Sequence, residues 1–149
     1  MTLKHLSYQK TGYFSDLMID YLAEKEDLLP FFGRFPSIEN FEEQFNEKRK
    51  SFSKKKRDVL VASLTKQYMG FEVSKLTQKN IDLLLNENTF TITTGHQLNL
   101  FTGPLYFLYK IISVINLSEQ LNKKYTKQHF VPIYWMASED HDFNEINFF

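Results

Sequence analysis

The fold of this chain is decided by residues 89–136, which begin with Thr89-Phe-Thr-Ile-Thr-Thr-Gly-His-Gln97. The first six of these residues are rich in β-branched side chains and alternate in character, a pattern typical of a β-strand. Gly103 and Pro104 follow, and proline suits the start of a helix because the N–H that it lacks would be unpaired there. The sequence therefore predicts a strand over 89–94 and, after Pro104, a helix that runs to about Leu121.

A second strand is predicted over residues 130–136, which read FVPIYWM and have the length of a strand. A helix between two strands, with a connection of this length, predicts a βαβ crossover whose strands are parallel. The helix is apolar on nearly all sides, apart from a thin polar strip that includes Lys110. We therefore expect this helix to be buried.

The first 88 residues carry the apolar spacing of helices. Ser15 is a candidate cap for a helix that reaches about Asp27, and Ser37 is a candidate cap for a second. A third helix is predicted to end at Gly70, and Thr77 is the candidate cap of a fourth. These patterns predict an α/β protein with a helical N-terminal region, residues 1–88, followed by the start of a parallel α/β core, residues 89–149. Two strands leave sheet edges and faces uncovered, so we expect a truncated core that belongs to a longer protein.

Composition excludes several classes of protein. A chain of 149 residues that is 42% hydrophobic and 16% aromatic is neither disordered nor collagen-like. The absence of cysteine excludes a disulfide scaffold, a cysteine-ligated zinc site, an iron–sulfur cluster and a cysteine nucleophile from this chain. The longest apolar stretch, residues 105–117, is shorter than the ~20 residues of a membrane span, and no signal sequence follows Met1. We expect a soluble, cytoplasmic protein without a membrane partner.

Charge is balanced overall, with 18 basic and 18 acidic residues, but seven of the basic residues lie between Lys48 and Arg57. Such a run could contact the phosphates of a nucleic acid or nucleotide. We favour a solvated helix end or a helix–helix connection, because a neutral chain lacks a broad basic surface. We therefore expect no nucleic-acid partner.

The candidate functional residues follow the two predicted strands. Ligands of open α/β sheets bind beyond the carboxyl ends of the strands, often beside a helix N-terminus. Gly95, His96 and Gln97 follow the first strand, where they could hold a phosphate or carboxylate. The side chains that follow the second strand are Glu139, Asp140, His141, Asp142, Asn144 and Glu145. If the strands are neighbours, the two groups lie in one crevice.

Other roles fit the same residues. Asp140 and Asp142 could cap a following helix, and His96 could satisfy a backbone carbonyl. A metal could bind His96, His141 and one carboxylate, or Asp140 and Asp142 could bind Mg²⁺ with a nucleotide. Neither spacing is distinctive and no GxGxxG or GxxxxGK[ST] motif is present, so we expect no metal and leave the cofactor open, with ATP or another nucleotide as candidates. Lys110 is either a snorkelling lysine or a group that reaches a phosphate.

Two motifs carry a resemblance to a known family. They are TTGHQLNLFTGPLYFLYK, residues 93–110, and VPIYWMASEDHDFNEIN, residues 131–147. Together, in this order, they resemble the BshC family, the cysteine-adding enzymes of bacillithiol biosynthesis. Family members often have Gly-Gln-Gln where this chain has Gly95-His96-Gln97, which favours for His96 a hydrogen-bonding role that glutamine can share.

The resemblance implies a Rossmann-like core with inserted segments, a C-terminal coiled coil and a chain several times longer than this one. It also implies a ligase that joins the carboxylate of cysteine to the amine of glucosaminyl-malate, and that could dimerise through its C-terminal segment. The catalytic group implied is Glu139, Asp140, His141 and Asp142, which would orient the sugar hydroxyls or the attacking amine, or act as base. The group that binds substrate or phosphate is Gly95, His96, Gln97, Asn144 and Glu145.

Two further hypotheses stay open beside the ligase. One is a metal- or nucleotide-dependent transferase or hydrolase that uses the same crevice. The other is a non-catalytic segment that folds or acts only with further chain. For the ligase we expect the 149 residues to be the N-terminal part of a larger enzyme and to have no catalytic activity by themselves.

Overall fold

The computed structural model describes residues 4–99 and 103–140. The chain divides into two compact units, Met1–Gln44 and Phe45–Phe149. The predicted boundary between residues 88 and 89 is the point where helices give way to strands, and as a domain boundary it stays a prediction.

The described part of the first unit, from residue 4 onward, includes the short helices α1 (Tyr8–Thr11) and α2 (Asp16–Leu22), a 3₁₀ helix over Glu26–Phe31 and the start of the next helix. Ser15 caps α2 as predicted, because its hydroxyl oxygen accepts from the Met18 N–H at 3.3 Å. The helix ends at Leu22 and does not reach Asp27. The reason lies at Glu24, whose φ of +52° is a left-handed conformation that no helix can continue through.

The next helix, α3, spans Phe41–Ser51 and begins four residues after its predicted cap, Ser37. The Ser37 hydroxyl accepts from the Asn40 N–H at 3.4 Å. It therefore closes a turn ahead of the helix, so the prediction that it caps the helix is wrong. Serine forms both kinds of contact with the N–H three residues on, and sequence spacing does not distinguish them.

Two helices of the second unit follow, α4 (Lys54–Gln67) and α5 (Lys75–Leu83). The cap of α5 is Ser74 and not the predicted Thr77, since the Ser74 hydroxyl oxygen accepts from the Thr77 N–H at 3.1 Å. Both residue types are good caps, and the earlier one is used here. Gly70 has φ of +87° but lies two residues beyond Tyr68, the C-cap of α4, so the helix ends before the predicted position.

The sheet is a parallel pair of strands, β1 (Thr89–Gln97) and β2 (His129–Ala137), joined by α6 (Leu105–Lys124). Thr89 is level with His129 at one end, and Gln97 is level with Ala137 at the other. The predicted βαβ unit with parallel strands is confirmed. β1 continues three residues beyond the predicted Thr94 and so includes the Gly-His-Gln motif.

Aromatic rings form much of the core of the second unit. Phe45 of α3 is 5% exposed, and its ring lies 5.2 Å from those of Phe90 and Tyr125 and 5.9 Å from that of Phe130. Phe90 belongs to β1 and Phe130 to β2. The cluster therefore links α3 to both strands, and rings at these distances attract one another beyond simple burial.

One face of α6 packs and the other is open. Ser118 and Leu121 are buried, whereas Leu105, Tyr109 and Ile112 are between 51% and 64% exposed. The expectation that this helix is buried is therefore wrong for the chain as it stands, because two strands cover only one side of a helix. In the described ranges no helix is both long enough and apolar enough to cross a bilayer.

The C-terminal end of α6 is tied to β2 by an amide side chain. Asn122 accepts from the Phe130 N–H at 2.9 Å and donates to the Phe130 carbonyl at 2.8 Å. Phe130 is buried, so the contact satisfies two backbone groups that water does not reach. A helix held at one end presents its other end at a defined place, here toward the carboxyl ends of the strands.

One member of the basic run is buried. Arg57 of α4 is 4% exposed and donates to the carbonyls of Leu84 at 3.0 Å and Glu87 at 3.2 Å. The run does span the connection between α3 and α4, but a wholly solvated face is contradicted at this residue. Burial lowers the pKa of the Arg57 guanidinium, and the Glu87 carboxylate opposes that shift. Arg57 thereby holds α4 against the segment that leads into β1.

Candidate site at the carboxyl ends of the strands

The predicted anion-binding motif and the start of the predicted acidic cluster lie at the same edge of the sheet. Gly95 is level with Trp135, and Gln97 with Ala137, so both strands end together. Because the strands are parallel, the residues that follow each of them leave the sheet at its carboxyl edge. The register confirms the shared edge, and the convergence of the two groups in one crevice stays a prediction.

The acidic cluster begins in a turn after β2. The Asp140 N–H donates to the Ala137 carbonyl at 3.3 Å, and Glu139 Oε1 accepts from the indole N–H of Trp135 at 3.4 Å. Glu139 and Asp140 are both exposed to solvent. The remaining predicted members, His141, Asp142, Asn144 and Glu145, lie outside the described residues. Their convergence with His96 stays a prediction.

His96 is engaged at both ring nitrogens by other side chains. Nε2 lies 2.9 Å from the Tyr106 hydroxyl oxygen, and Nδ1 lies 2.9 Å from the Asn99 amide nitrogen. The same amide nitrogen donates to the Gln97 carbonyl at 2.8 Å. A ligand at this edge therefore meets the neighbours of His96, above all Tyr106, before it meets an imidazole nitrogen.

Two side chains of α6 lie at the same edge. Tyr106 and Lys110 are four residues apart and so share one face of the helix. Lys110 Nζ donates to the Gly95 carbonyl at 3.2 Å and lies 5.5 Å from the centre of the Tyr106 ring. Its ammonium group is thus placed at the end of β1, where a phosphate could be reached. Sequence reasoning missed Tyr106, although its place in the first turn after Gly103-Pro104 was a usable signal.

Gly103 makes room for Asn99 at the start of α6. A Cβ at Gly103 would lie 2.7 Å from Cγ and Oδ1 of Asn99, and its φ of +62° is left-handed. Glycine is therefore required for two reasons: a side chain would clash with Asn99, and other residues rarely adopt this backbone conformation. Pro104 is the N-cap and α6 begins at Leu105, so the predicted helix start directly after Pro104 is correct.

Gly95 has a different reason to be glycine. A Cβ there would lie 3.0 Å from the Trp135 carbonyl oxygen and 3.3 Å from the Trp135 Cβ. Those distances are shorter than ordinary van der Waals contact, so the two strands approach more closely at this level than a side chain would allow.

Metal chemistry finds no ready site in the described part of the chain. Among residues 4–99 and 103–140, no three histidine, aspartate or glutamate side chains are grouped as metal ligands. The pairs considered from the sequence each include His141 or Asp142, which lie outside those ranges. The two possible metal sites considered from the sequence are therefore untested by the structure.

An open groove of about 880 Å³ is formed by residues of α5 and its flanks. Its lining residues are Val73, Lys75, Gln78, Lys79, Asp82, Leu83, Leu85 and Asn86. None of them is a predicted site residue. The candidate site is the strand edge and not this groove.

Comparison with known proteins identifies the family. The family model described as "Bacillithiol biosynthesis BshC, N-terminal Rossmann-like domain" matches residues 1–149. The chain belongs to the BshC family. The Rossmann-like α/β fold and the resemblance seen in the sequence motifs are thereby confirmed.

Three BshC relatives illustrate the similarity, and each bears the name "Putative cysteine ligase BshC". The protein from Flavobacterium psychrophilum is 63% identical over 145 residues, and that from Flavobacterium johnsoniae is 59% identical over 144; each match covers 97% of this chain. The protein from Staphylococcus carnosus is 38% identical over 136 residues, which is 89% of this chain and 24% of the relative. The chain spans 27% of the length of the two Flavobacterium relatives.

Proposed function

We propose that this chain is the N-terminal part of a cysteine ligase of bacillithiol biosynthesis. The enzyme joins the carboxylate of cysteine to the amine of glucosaminyl-malate in an amide bond. Membership of the BshC family supports this proposal, as does the short coverage of relatives that bear the ligase name. The structural observation that carries it is the common carboxyl edge of β1 and β2. Tyr106 and Lys110 contact the end of β1, and Glu139 and Asp140 follow the end of β2.

The chemistry explains why these groups suit the reaction. An amide forms from a carboxylate only after one carboxylate oxygen has become part of a leaving group. ATP or another nucleotide would supply that group by accepting the cysteine carboxylate at phosphorus and releasing pyrophosphate. Lys110 and Tyr106 offer donors to the negative charge of carboxylate or phosphate.

Amide formation also needs a proton acceptor. The attacking amine of glucosaminyl-malate loses a proton as the C–N bond forms and the activating group departs. Asp140, His141, Glu139 and Asp142 are the proposed group that orients the amine and takes up this proton. Gly95, His96, Gln97, Asn144 and Glu145 are the proposed contacts to substrate or phosphate.

We propose further that the 149 residues alone do not catalyse the reaction. The exposed apolar face of α6 supports this view, since large hydrophobic side chains such as Leu105 and Ile112 ordinarily lie against other parts of a protein. The longer enzyme would act on small molecules in the cytoplasm and would bind neither nucleic acid nor membrane. It would dimerise through its C-terminal segment. A metal- or nucleotide-dependent transferase or hydrolase remains the alternative for the same crevice.

A chimera tests the proposal. The 149 residues replace the matching 27% of the Flavobacterium psychrophilum relative, and the purified chimera is supplied with glucosaminyl-malate, cysteine and ATP. We expect formation of bacillithiol, detected by mass spectrometry after thiol labelling. Other nucleoside triphosphates are supplied in parallel, and a purified enzyme that forms bacillithiol with none of them contradicts the proposal.

Variants of the chimera test the site. Asp140→Ala and His141→Ala should each lower the rate by about 100-fold or more, as expected for loss of a proton-transfer group. Asp58→Ala is the matched control, because Asp58 is an exposed aspartate on α4. If both site variants form bacillithiol at the rate of the control, the acidic cluster is not catalytic.

A further inference from the structure

The amide group of Asn99 has one orientation that its surroundings permit. Its nitrogen lies 2.8 Å from the Gln97 carbonyl oxygen, and an amide oxygen in that place would repel the carbonyl. The nitrogen therefore stands where the structure places it, with two N–H donors. One is directed to Gln97, and the other to His96 Nδ1 at 2.9 Å.

This orientation bears on which nitrogen of His96 carries the proton. Nδ1 has two neighbours, the Gln97 carbonyl oxygen at 3.2 Å, to which a proton on Nδ1 could be donated, and the Asn99 amide nitrogen at 2.9 Å. The shorter contact, and the repulsion between two N–H groups at that distance, favour the assignment of Nδ1 as an acceptor from Asn99. The proton of the neutral ring is then on Nε2. Nδ1 and the Gln97 carbonyl oxygen, 3.2 Å apart, are then both acceptors, and the Asn99 amide group donates one N–H to each of them.

The consequence reaches Tyr106. The Nε2–H of His96 donates to the Tyr106 oxygen at 2.9 Å, so the hydroxyl proton of Tyr106 cannot point back at the ring and is free to be donated elsewhere. Tyr106 is 52% exposed, and the Lys110 ammonium lies 5.5 Å from its ring. The Tyr106 hydroxyl and the Lys110 ammonium lie one turn apart on α6 and both contact groups at the end of β1, so they suit an anionic oxygen there.

We propose that Tyr106 and Lys110 form an anion subsite at the carboxyl end of β1, and that Asn99 is the positioning residue that sets its hydrogen bonding through His96. The ligand is a carboxylate or phosphate oxygen of a substrate, and in that respect the proposal rests on the ligase function. Gly103 belongs to the same arrangement, since a side chain there would displace Asn99. Both ring nitrogens of His96 are engaged by Tyr106 and Asn99, so the proposed contact of His96 to substrate runs through the Tyr106 hydroxyl.

The tautomer of His96 can be measured directly. The 149-residue chain is labelled with ¹⁵N-histidine and its four histidines are observed by NMR near neutral pH, with His96→Gln identifying the signals of His96. We expect Nδ1 to show the shift of an unprotonated ring nitrogen and Nε2 that of a protonated one. In Asn99→Asp, which replaces the donor by an acceptor, we expect the proton to move to Nδ1. A proton on Nδ1 in the parent chain, or no change in the variant, overturns the positioning role.

A matched pair of glycine variants separates contact from backbone strain. Gly103→Ala places a methyl group against Asn99, so we expect the single tautomer of His96 to be lost. Gly12→Ala carries the same kind of left-handed strain, with φ of +70°, but nothing lies within 4 Å of the new Cβ. We expect the second variant to leave the His96 signals unchanged. Equal spectra for the two variants would contradict the role of Gly103.

The anion subsite is tested by binding to the chimera. Tyr106→Phe removes only the hydroxyl, and the loss of one hydrogen bond to a charged oxygen should weaken binding by about tenfold to a hundredfold. Tyr109→Phe, on the same helix and 59% exposed, is the control. Glucosaminyl-malate, cysteine and ATP are titrated separately by calorimetry, and the one that Tyr106→Phe weakens is the source of the anion.

The outcomes distinguish this inference from the function on which it rests. If Tyr106→Phe weakens none of the three ligands relative to Tyr109→Phe, the subsite is wrong even where the chimera forms bacillithiol. If the chimera binds an anion through Tyr106 but forms no bacillithiol with any nucleotide, the ligase proposal fails and the subsite stands.

Discussion

Replacement of Arg57 by methionine should destabilise the second unit substantially. The variant Arg57→Met keeps an unbranched stem but removes the donors to the Leu84 and Glu87 carbonyls, at 3.0 and 3.2 Å. Hydrogen bonds from a charged group contribute about 1.5–3 kcal/mol each. Part of that gain is offset in the native protein because burial lowers the pKa of the guanidinium and its Nε has no partner. We expect the free energy of unfolding to fall by about 2–4 kcal/mol.

Urea unfolding of the 149-residue chain, followed by far-ultraviolet circular dichroism, measures the change. For a slope of about 2 kcal/mol per molar urea, the midpoint should fall by about 1–2 M. Lys55→Met is the matched control, because Lys55 is exposed and lies on the same helix two residues earlier. That variant should stay within about 0.5 kcal/mol of the parent chain.

A small effect would refute the reasoning. If Arg57→Met and Lys55→Met unfold at the same urea concentration, the two carbonyl contacts of Arg57 contribute nothing measurable. In that case α4 does not hold the segment that leads into β1. A parallel measurement of amide exchange at Thr89 should show faster exchange in Arg57→Met only, since that residue follows the segment which Arg57 contacts.

Two further predictions concern the sheet and the core. Gly95→Ala should lower the free energy of unfolding by about 1–3 kcal/mol, because the new Cβ meets the Trp135 carbonyl at 3.0 Å. Gly33→Ala is the control: nothing lies within 4 Å of its new Cβ, so its free energy of unfolding should fall by less than about 1 kcal/mol. Equal losses for the two variants in urea unfolding would contradict the close approach of the strands. Phe45→Ala should cost about 3–5 kcal/mol through loss of the aromatic cluster. Phe31→Ala, at a side chain that is 84% exposed, should change the midpoint little, and a loss as large as that of Phe45→Ala would refute the assignment of the core.

Several features of the fold follow from local chemistry and were predictable. The β-branched alternation of residues 89–94 and the apolar run 130–136 indicated two strands, and the proline before Leu105 indicated the helix between them. Such patterns act over a few residues, so they can be recognised without knowing the rest of the protein. The motifs around His96 were distinctive enough to indicate the family, which the match over residues 1–149 confirms.

Local chemistry was less decisive where two candidates compete. Ser74 and Thr77 are both good caps, so their residue types do not show which one is used. The end of α2 depends on the left-handed conformation of Glu24, which glutamate does not favour and which the sequence therefore does not indicate. The burial of α6 was overestimated for a related reason. An apolar helix has a strong tendency to be covered, but how much of it is covered depends on what lies beside it, and a two-stranded sheet reaches only one face.

By itself, the sequence determined the order of strand, helix and strand and the family to which the chain belongs, because both are encoded in short, contiguous patterns. Only the tertiary structure decided that Arg57, in a run of exposed lysines, is buried and donates hydrogen bonds to two backbone carbonyls that lie 27 and 30 residues further along the chain. It also decided that Asn99, His96 and Tyr106 form one hydrogen-bonded chain. Contacts of this kind depend on distance and angle between atoms that the parallel register and the placement of α6 bring together, and no local pattern of residue types specifies those quantities.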